Sequence, residues 1–295
     1  MMYIPDRKSL SVILKKSDQY QNWVDQYLVD IADQVKIQHE DAFLYHHQDK
    51  FDSEMFGLKV GKIEDVIGEN KSNILHVVNE FFETNPYEYC VIRLAQHFID
   101  WIQAFQQHGA LFLDATVELV CDVHKVSTPS ISPLVTEELS QKMIDQTLEI
   151  ASSFCHGRFF TDPDLQKGFE VYTTWIQNSI DKKAADRTFV LYDQDQVHGF
   201  ATIKGGLLGD LKSWRIQLVG KHGNSVRSGV AETLLQHVIA VAQQDNVDVV
   251  LIATQCTNIP ALRAYQSAGF SPYGSGVTLG WKKHRKSIQE DTSQV

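Results

Sequence analysis

The chain has 295 residues, of which 43% are hydrophobic and 22% charged, and 37 acidic side chains outnumber 27 basic ones for a formal net charge of -10. A surface this acidic repels phosphate backbones, so nucleic acid is not expected as a partner. The N-terminus has no apolar leader, the longest apolar passage (110–123) is interrupted by charges, and the 4 cysteines form no CxxC pair, so we expect a cytoplasmic protein without membrane span, disulfide framework or metal site.

The first part of the chain alternates between helical and strand-like patterns. Apolar residues at helical spacing over 18–37 predict an amphipathic helix. The segments that follow are predicted in chain order as strand 41–47, a bend and strand over 51–66, helix 72–85, strand 88–95, helix 96–108 and strand 110–122. This alternation predicts an α/β unit over residues 1–123.

Residues 124–136 carry two prolines and several Ser and Thr residues between periodic segments, which is typical of a linker. A second alternating unit is predicted over 137–283, followed by a polar tail over 284–295. Its elements are predicted as a helix capped by Thr136 that runs to Phe154, a helix that begins at Asp162 and Pro163, a hairpin of 188–193 and 196–205, strand 214–220, helix 227–244, strand 247–255, helix 259–268 and a last strand over 277–283.

A glycine-spaced turn joins the strand 214–220 to the helix 227–244. Gly220, Gly223 and Gly229 allow the backbone to approach a ligand closely. The first amides of the helix, over 227–232, lack partners within it, and with the positive end of the helix dipole they can hold a pyrophosphate. Taken by itself, such a turn is also compatible with a purely structural role.

A second motif follows the next strand, in the order Asn258, Ala261, Tyr265, Gly269, Phe270. This Asn-x-x-Ala-x-x-x-Tyr-x-x-x-Gly-Phe pattern resembles the GNAT acetyltransferase superfamily. The turn at 226–231 resembles the Gln/Arg-x-x-Gly-x-Gly/Ala turn of the same family, with valine in place of the first Gln or Arg. The resemblance implies a GNAT fold with acetyl-CoA as cosubstrate, bound by Leu218, Val219, Arg227, Ser228, Gly229, Val230, Ala231, Asn258 and Ala261.

The resemblance also implies a mechanism, in which a free amine attacks the thioester directly in a ternary complex. Backbone amides near Leu218 and Val219 would stabilise the oxyanion. Tyr265 would protonate the departing thiolate, and the alternative is that it only packs in the core. The residues leave the general base open, with a water chain, Asp162, Glu170 and Asp210 as candidates.

A narrower resemblance extends over nearly the whole chain. The segments 52–57, 158–163 and 175–179 are similar to a bacterial group related to dTDP-fucosamine acetyltransferase. This resemblance implies two GNAT-like domains, the first one degenerate, and an acceptor amine on a nucleotide-linked sugar used in polysaccharide biosynthesis. The residues that it implies as substrate-binding are Arg158, Asp162 and Asp52. Arg158 and Asp162 could instead pair with each other, and Asp52 could cap backbone groups.

Two rival interpretations stay open. The same chemistry could act on another small-molecule amine, such as a polyamine or an antibiotic, or on a peptide. The chain could also be a non-catalytic CoA-binding protein that keeps the fold. Since the first part of the chain has no turn like 220–231, we expect it to fold without a cofactor. The sequence leaves the oligomeric state undetermined, with a homodimer as one candidate.

Overall fold

The computed structural model describes residues 35–127, 129, 131–154, 158–165, 167–208, 210–223 and 228–283. The predicted helix 18–37 therefore lies largely outside the described residues, as does the polar tail 284–295. Its last three residues, however, belong to a strand that begins at Val35. The helical prediction is wrong for these residues, because strand pairing with the next segment takes up their backbone groups.

The first half of the described chain contains five strands and three helices. They are β1 (Val35–His39), β2 (Ala42–Gln48), α1 (Lys50–Phe56), β3 (Val60–Ile67), α2 (Lys71–Thr84), β4 (Tyr89–Ala95), α3 (Ile99–Gln107) and β5 (Leu111–Asp122).

The second half has a longer series of elements. They are β6 (Val135–Thr136), α4 (Gln141–Ser152), α5 (Arg158–Thr161), α6 (Gly168–Ile180), β7 (Arg187–Asp193), β8 (Gln196–Leu208), β9 (Leu211–Lys221), α7 (Val230–Gln244), β10 (Val249–Gln255), α8 (Ile259–Ser267) and β11 (Ser271–Lys282). Within the part of the chain that the structure describes, no helix is both long and apolar enough to span a membrane.

The structure corrects one predicted bend and two predicted helix starts. Helix α1 replaces a predicted bend, since Asp49 accepts a hydrogen bond from the Asp52 amide at 2.9 Å and Gly57 ends the helix in the left-handed conformation. Helix α4 begins after Ser140, whose side chain caps it, and Thr136 lies in a strand instead. Helix α6 begins only at Gly168, so Asp162 does not cap it.

The eleven strands of the described residues form one mixed sheet in the order β1-β2-β3-β4-β11-β5-β10-β9-β8-β7-β6. Most neighbours are antiparallel, and two pairs are parallel: β3 with β4, and β9 with β10. A parallel pair needs a crossover connection, which α2 supplies in the first half and α7 in the second. The two halves thus repeat the order antiparallel strands, crossover helix, parallel strand, helix, last strand.

The two halves exchange their last strands. Strand β5 of the first half pairs with β10 of the second, and β11 of the second half pairs with β4 of the first. The two exchanged strands also pair with each other at the centre of the sheet. Each half is therefore completed by a strand from the other. The domain limits 1–123 and 137–283 stay a prediction.

The hydrophobic cores follow the same exchange. Leu119 and Cys121 on β5 pack in the core under α7 and α8, with residues such as Ile252 of β10. Leu279 on β11 packs in the core under α2 and α3 in the first half. Because the apolar side chains of each exchanged strand are buried in the opposite half, the pairing is stabilised by burial as well as by hydrogen bonds.

Candidate functional site

A gap opens in the sheet between β9 and β10. Their parallel pairing covers only Ser213–Ile216 against Val249–Ile252. Directly after Ile216 the register with β8 shifts by one residue at Gln217, and a bulge of this kind bends a strand away from its neighbour. Leu218 and Val219, predicted to contact the cofactor, lie on β9 just past the bulge, on one side of this gap. Ala253 and Thr254 lie on the other.

The N-terminus of α7 follows the strand that forms one side of the gap. Gly229 precedes the helix with φ of 71°, a left-handed conformation, and an added Cβ would meet nothing within 4 Å. The first hydrogen bond at this end of the helix runs from the Thr233 amide to the Gly229 carbonyl at 2.9 Å. The amides of Val230, Ala231 and Glu232 come before it, at the positive end of the helix dipole.

The remaining residues of the predicted turn are placed less completely. Ser228 is exposed beside Gly229, while Arg227 lies outside the described residues. Val230 is buried in the core of the second half and Ala231 packs against it, so their side chains anchor the helix while their amides stay at its end. The packing of Val230 and Ala231 in the core thus holds the end of the turn in place.

Asn258 and Ala261 stabilise the start of α8 beside the gap. The Asn258 side chain accepts a hydrogen bond from the Ala261 amide at 3.3 Å and donates one to Thr254 Oγ1 at 3.1 Å. The first bond is a helix cap, and the second joins α8 to the end of β10. The side chain of Asn258 is therefore used within the protein, where it sets the position of α8 relative to the gap.

Tyr265 lies one turn beyond Ala261 on α8 and is only 6% exposed. Its ring packs near Phe270, with centroids 6.2 Å apart. Burial raises the pKa of Tyr265 to about 12, so the phenol is protonated at neutral pH. It can therefore donate a proton, as the predicted acid role requires.

The first half contains a helix and turn that match α8 and the turn after it, but the residue equivalent to the small Ala261 is a large, buried side chain. The segments 99–110 and 259–270 share Ile, Ala, Gln and Gly at equal spacing, an internal repeat that the sequence analysis missed. Phe105 stands where Tyr265 stands, without a hydroxyl. Trp101 stands where Ala261 stands, fully buried, and its Nε1 donates to the Gly68 carbonyl at 3.2 Å.

The N-terminus of α2, the crossover helix of the first half, also differs from that of α7. The Asn70 side chain accepts hydrogen bonds from the first amides of α2, those of Ser72 and Asn73, at 3.0 and 3.4 Å. In α7 the corresponding position is Gly229, which has no side chain to do this. The amides that are available at α7 are already occupied at α2.

The three predicted substrate-binding residues connect the halves. Arg158 on α5 forms a buried ion pair with Asp52 on α1, the two being 5% and 1% exposed, and its guanidinium lies 3.9 Å from the centroid of the Phe159 ring. Asp162 accepts hydrogen bonds from the Tyr89 hydroxyl and from the Asp164 amide. Arg158 is thus paired with Asp52 rather than with Asp162, and Asp52 does not cap the helix. A role in substrate binding stays a prediction.

A polar cleft that the sequence analysis missed lies on the sheet beside the gap. It has a volume of about 170 Å³ and is lined by residues of β4, β5, β9, β10 and β11. These residues are Arg93, Leu94, Asp114, Thr116, Glu118, Arg215, Ala253, Gln255, Gly276, Val277 and Thr278. Asp114, Thr116 and Glu118 recur at every second position of β5, and this period of two, visible in the sequence, places them on one face of the strand.

Glu118 is a carboxyl group of the cleft whose pKa is changed by its surroundings. Burial raises the pKa of Glu118 to about 7, against the opposing effects of the Arg215 charge and the Tyr273 hydroxyl. By contrast, Glu170 and Asp210, which the sequence offered as candidate bases, are exposed. Within the described residues, no three His, Cys, Asp or Glu side chains gather as metal ligands would.

A comparison with protein families indicates the class of protein to which this sheet, with its gap and crossover helix, is similar. Residues 150–270 match the model of the Acetyltransferase (GNAT) family. This segment runs from the end of α4 to the residue before β11, so it includes the gap, α7 and Tyr265. The second half of the chain is therefore similar to GNAT acetyltransferases, and this match supports an N-acetyltransferase.

Solved structures share the fold over most of the chain. A GCN5-related N-acetyltransferase from Kribbella flavida has 11% identity and a TM-score of 0.57, over 92% of this chain and 97% of that one. A tandem GNAT protein from the clavulanic acid biosynthesis pathway has 10% identity and a TM-score of 0.51, over 84% and 80%. A fungal GCN5-related glucosamine N-acetyltransferase region has 11% identity and a TM-score of 0.53, over 82% of this chain and 31% of that one. These likenesses confirm the predicted GNAT fold, and a comparison with curated protein sequences gave no match.

Proposed function

We propose that the protein transfers the acetyl group of acetyl-CoA to the amine of a small molecule. The observation that carries this proposal is the gap between β9 and β10, which has uncapped helix amides near one end and a protonated tyrosine on the adjoining helix. The amides of α7 would bind the pyrophosphate of CoA. The pantetheine arm would lie in the gap, where the backbone of Leu218 and Val219 is available to a thioester.

The reaction follows from these positions. The amine nitrogen attacks the thioester carbonyl carbon, and backbone amides at the bulged end of β9 stabilise the oxyanion. The bond from carbon to sulfur then breaks, and Tyr265 protonates the thiolate. A direct attack needs both substrates bound together, so initial-rate lines should intersect rather than run parallel.

For the acceptor we propose the amine of a nucleotide-linked amino sugar, processed in the cytoplasm for polysaccharide biosynthesis. The motifs at 52–57 and 158–163 support this assignment through their resemblance to nucleotide amino-sugar acetyltransferases. The cleft contributes two arginines, Arg93 and Arg215, which suit an acceptor with an anionic group. At about 170 Å³ it is smaller than pockets that bury a whole drug-sized ligand, so it would hold the amine-bearing end alone.

Calorimetry with acetyl-CoA and a thiol-release assay test this function together. The acceptor panel contains nucleotide-linked amino sugars, free amino sugars, polyamines, aminoglycoside antibiotics and peptides. We expect acetyl-CoA binding, and CoA release with the nucleotide-linked sugars above the no-acceptor rate. Turnover with another class of amine alone would overturn the acceptor assignment. Binding without any turnover would indicate a non-catalytic CoA-binding protein, and no binding would refute the whole proposal.

A further inference from the structure

Glu118 lies at the point where the sheet opens. On β10, Ile252 is the last residue that pairs with β9, and Ala253 is the first beyond it. Ala253 is the register partner of Glu118 on β5. Since Glu118 lines the polar cleft, its carboxylate faces the side of the gap that an acceptor would enter. Strand β5 belongs to the first half, and only the strand exchange brings it here.

The Glu118 side chain is buried, and one of its two carboxylate oxygens lacks a hydrogen-bond partner among the described residues. The residue is 5% exposed and the atom without a partner is Oε2, while the Arg215 charge and the Tyr273 hydroxyl lie close enough to lower the pKa of Glu118. A buried acceptor atom that is left unsatisfied lowers stability, and an exposed surface position would avoid this. An atom of this kind that faces a cleft is available to a ligand that donates a hydrogen bond or a proton.

The titratable and charged groups around Glu118 lie on four strands. Arg215 approaches from β9 and Tyr273 from β11, while Asp114 lies on β5 itself and Arg93 on β4. Strand β10 contributes the uncharged Gln255. Burial outweighs the nearby positive charge and raises the pKa of Glu118 to about 7. Near neutral pH a substantial fraction is therefore ionised, which is the condition for an efficient general base.

We propose that Glu118, carried on the strand that the first half donates to the second, is the general base that takes the proton of the acceptor amine. The inference rests on the proposed acetyl transfer. Glu118 removes one proton from the acceptor ammonium ion, and the freed lone pair forms the bond from nitrogen to the carbonyl carbon. As the bond from carbon to sulfur breaks, the thiolate takes the Tyr265 proton, and the second nitrogen proton returns through solvent to Tyr265. The net products are an amide, free CoA thiol and one proton.

Asp114 is the other carboxylate that could serve this role, and its position argues against it. It lies four residues before Glu118 on the same strand, a distance of roughly 13 Å along the strand. Thr278 pairs with both Asp114 and Arg93, so these two charges share one row of the sheet away from the gap. Asp114 is therefore placed to orient the acceptor or Arg93 rather than to act at the thioester.

The test compares Glu118→Gln with the wild type across pH, using the best acceptor of the panel. The wild-type kcat should rise with pH through an ionisation near 7, because the base must be unprotonated. In Glu118→Gln we expect this ionisation to disappear and kcat at neutral pH to fall about 100- to 10,000-fold, while acetyl-CoA affinity stays within about twofold. O-methylhydroxylamine, whose nitrogen is largely unprotonated at neutral pH, should show a much smaller deficit after subtraction of the enzyme-free rate.

Three further variants keep the result interpretable. Glu149→Gln removes an exposed carboxylate of α4 and should leave both kcat and the pH profile unchanged. Asp114→Asn should raise KM and keep the ionisation. If Glu118→Gln fails to fold by circular dichroism, Glu118→Asp takes its place, with a lowered kcat and a displaced ionisation. A wild-type pH profile in a folded Glu118 variant would overturn the inference, whereas an inactive wild type would instead refute the proposed function.

Discussion

Tyr265 and its counterpart Phe105 differ by a single hydroxyl group at equivalent places in the two halves. Both rings are buried in a core under the sheet. A ring at this position therefore serves packing in both halves, and of the two only Tyr265 adds a hydroxyl, which is protonated at neutral pH. The comparison separates what the fold needs at this place from what the chemistry needs.

Tyr265→Phe should give the second half the same residue that Phe105 provides at the equivalent place in the first half. The ring and its packing stay, so the free energy of unfolding should change by no more than about 1 kcal/mol, which is the scale of a single hydrogen bond. General acid catalysis contributes about 100- to 10,000-fold, so kcat should fall in this range with acetyl-CoA affinity nearly unchanged. Steady-state kinetics and calorimetry measure both.

The matched control is Tyr192→Phe on β7. Its hydroxyl donates to the exposed Asp195 at 2.8 Å, away from the gap and the cleft. This variant should keep the wild-type kcat. If Tyr265→Phe did the same, with an unchanged pH profile, water or another residue would supply the proton and Tyr265 would be a packing residue.

At the scale of elements, the N-terminus of α7 and the end of α3 offer a matched pair of glycines. Gly229 and Gly109 both have a left-handed backbone, with φ of 71° and 82°, and an added Cβ would meet nothing within 4 Å at either. Alanine at each position should therefore lower the free energy of unfolding by about 1–2 kcal/mol through backbone strain alone. Chemical denaturation measures this loss.

The two alanine variants should differ in ligand binding. Gly229→Ala should weaken acetyl-CoA binding several-fold, because strain in the turn displaces the amides that precede the first turn of α7. Gly109→Ala should leave the affinity unchanged, since α3 lies in the other half. Equal affinities in the two variants would show that the turn at α7 does not hold the pyrophosphate.

At the scale of the whole molecule, the exchange of β5 and β11 makes each half depend on the other. A fragment of residues 124–283 would lack β5, which covers one edge of the apolar strand β10. A fragment of residues 1–123 would lack β11, which covers β4. Both fragments would thus expose a long hydrophobic edge strand, which is a recognised cause of aggregation.

We therefore expect each fragment to be insoluble or unfolded when expressed separately, and the two to form a soluble complex when expressed together. Size-exclusion chromatography and circular dichroism report on this. The intact chain should unfold in one cooperative thermal transition. Two separate transitions, or a folded monomeric fragment, would contradict the dependence that the exchanged strands imply.

The sequence determined those features that depend on local chemistry. Alternating patterns predicted most strands and helices, and the family resemblance of the motif from Asn258 to Phe270 predicted the acetyltransferase fold. Caps and turns were less certain, because several polar residues compete for the same helix start. Thr136 and Asp162 looked like caps, and the actual helices begin after Ser140 and Lys167. Arg227 lies outside the described residues.

Only the tertiary structure decided how the halves combine. Strand pairing joins residues that are far apart in the chain, and neither the exchange of β5 and β11 nor the ion pair of Asp52 with Arg158 has a local signal. The alternation of Asp114, Thr116 and Glu118 showed one polar face, but not what lies opposite it. Burial beside the gap is what moves the pKa of Glu118 toward neutrality, and burial is a property of the assembled sheet.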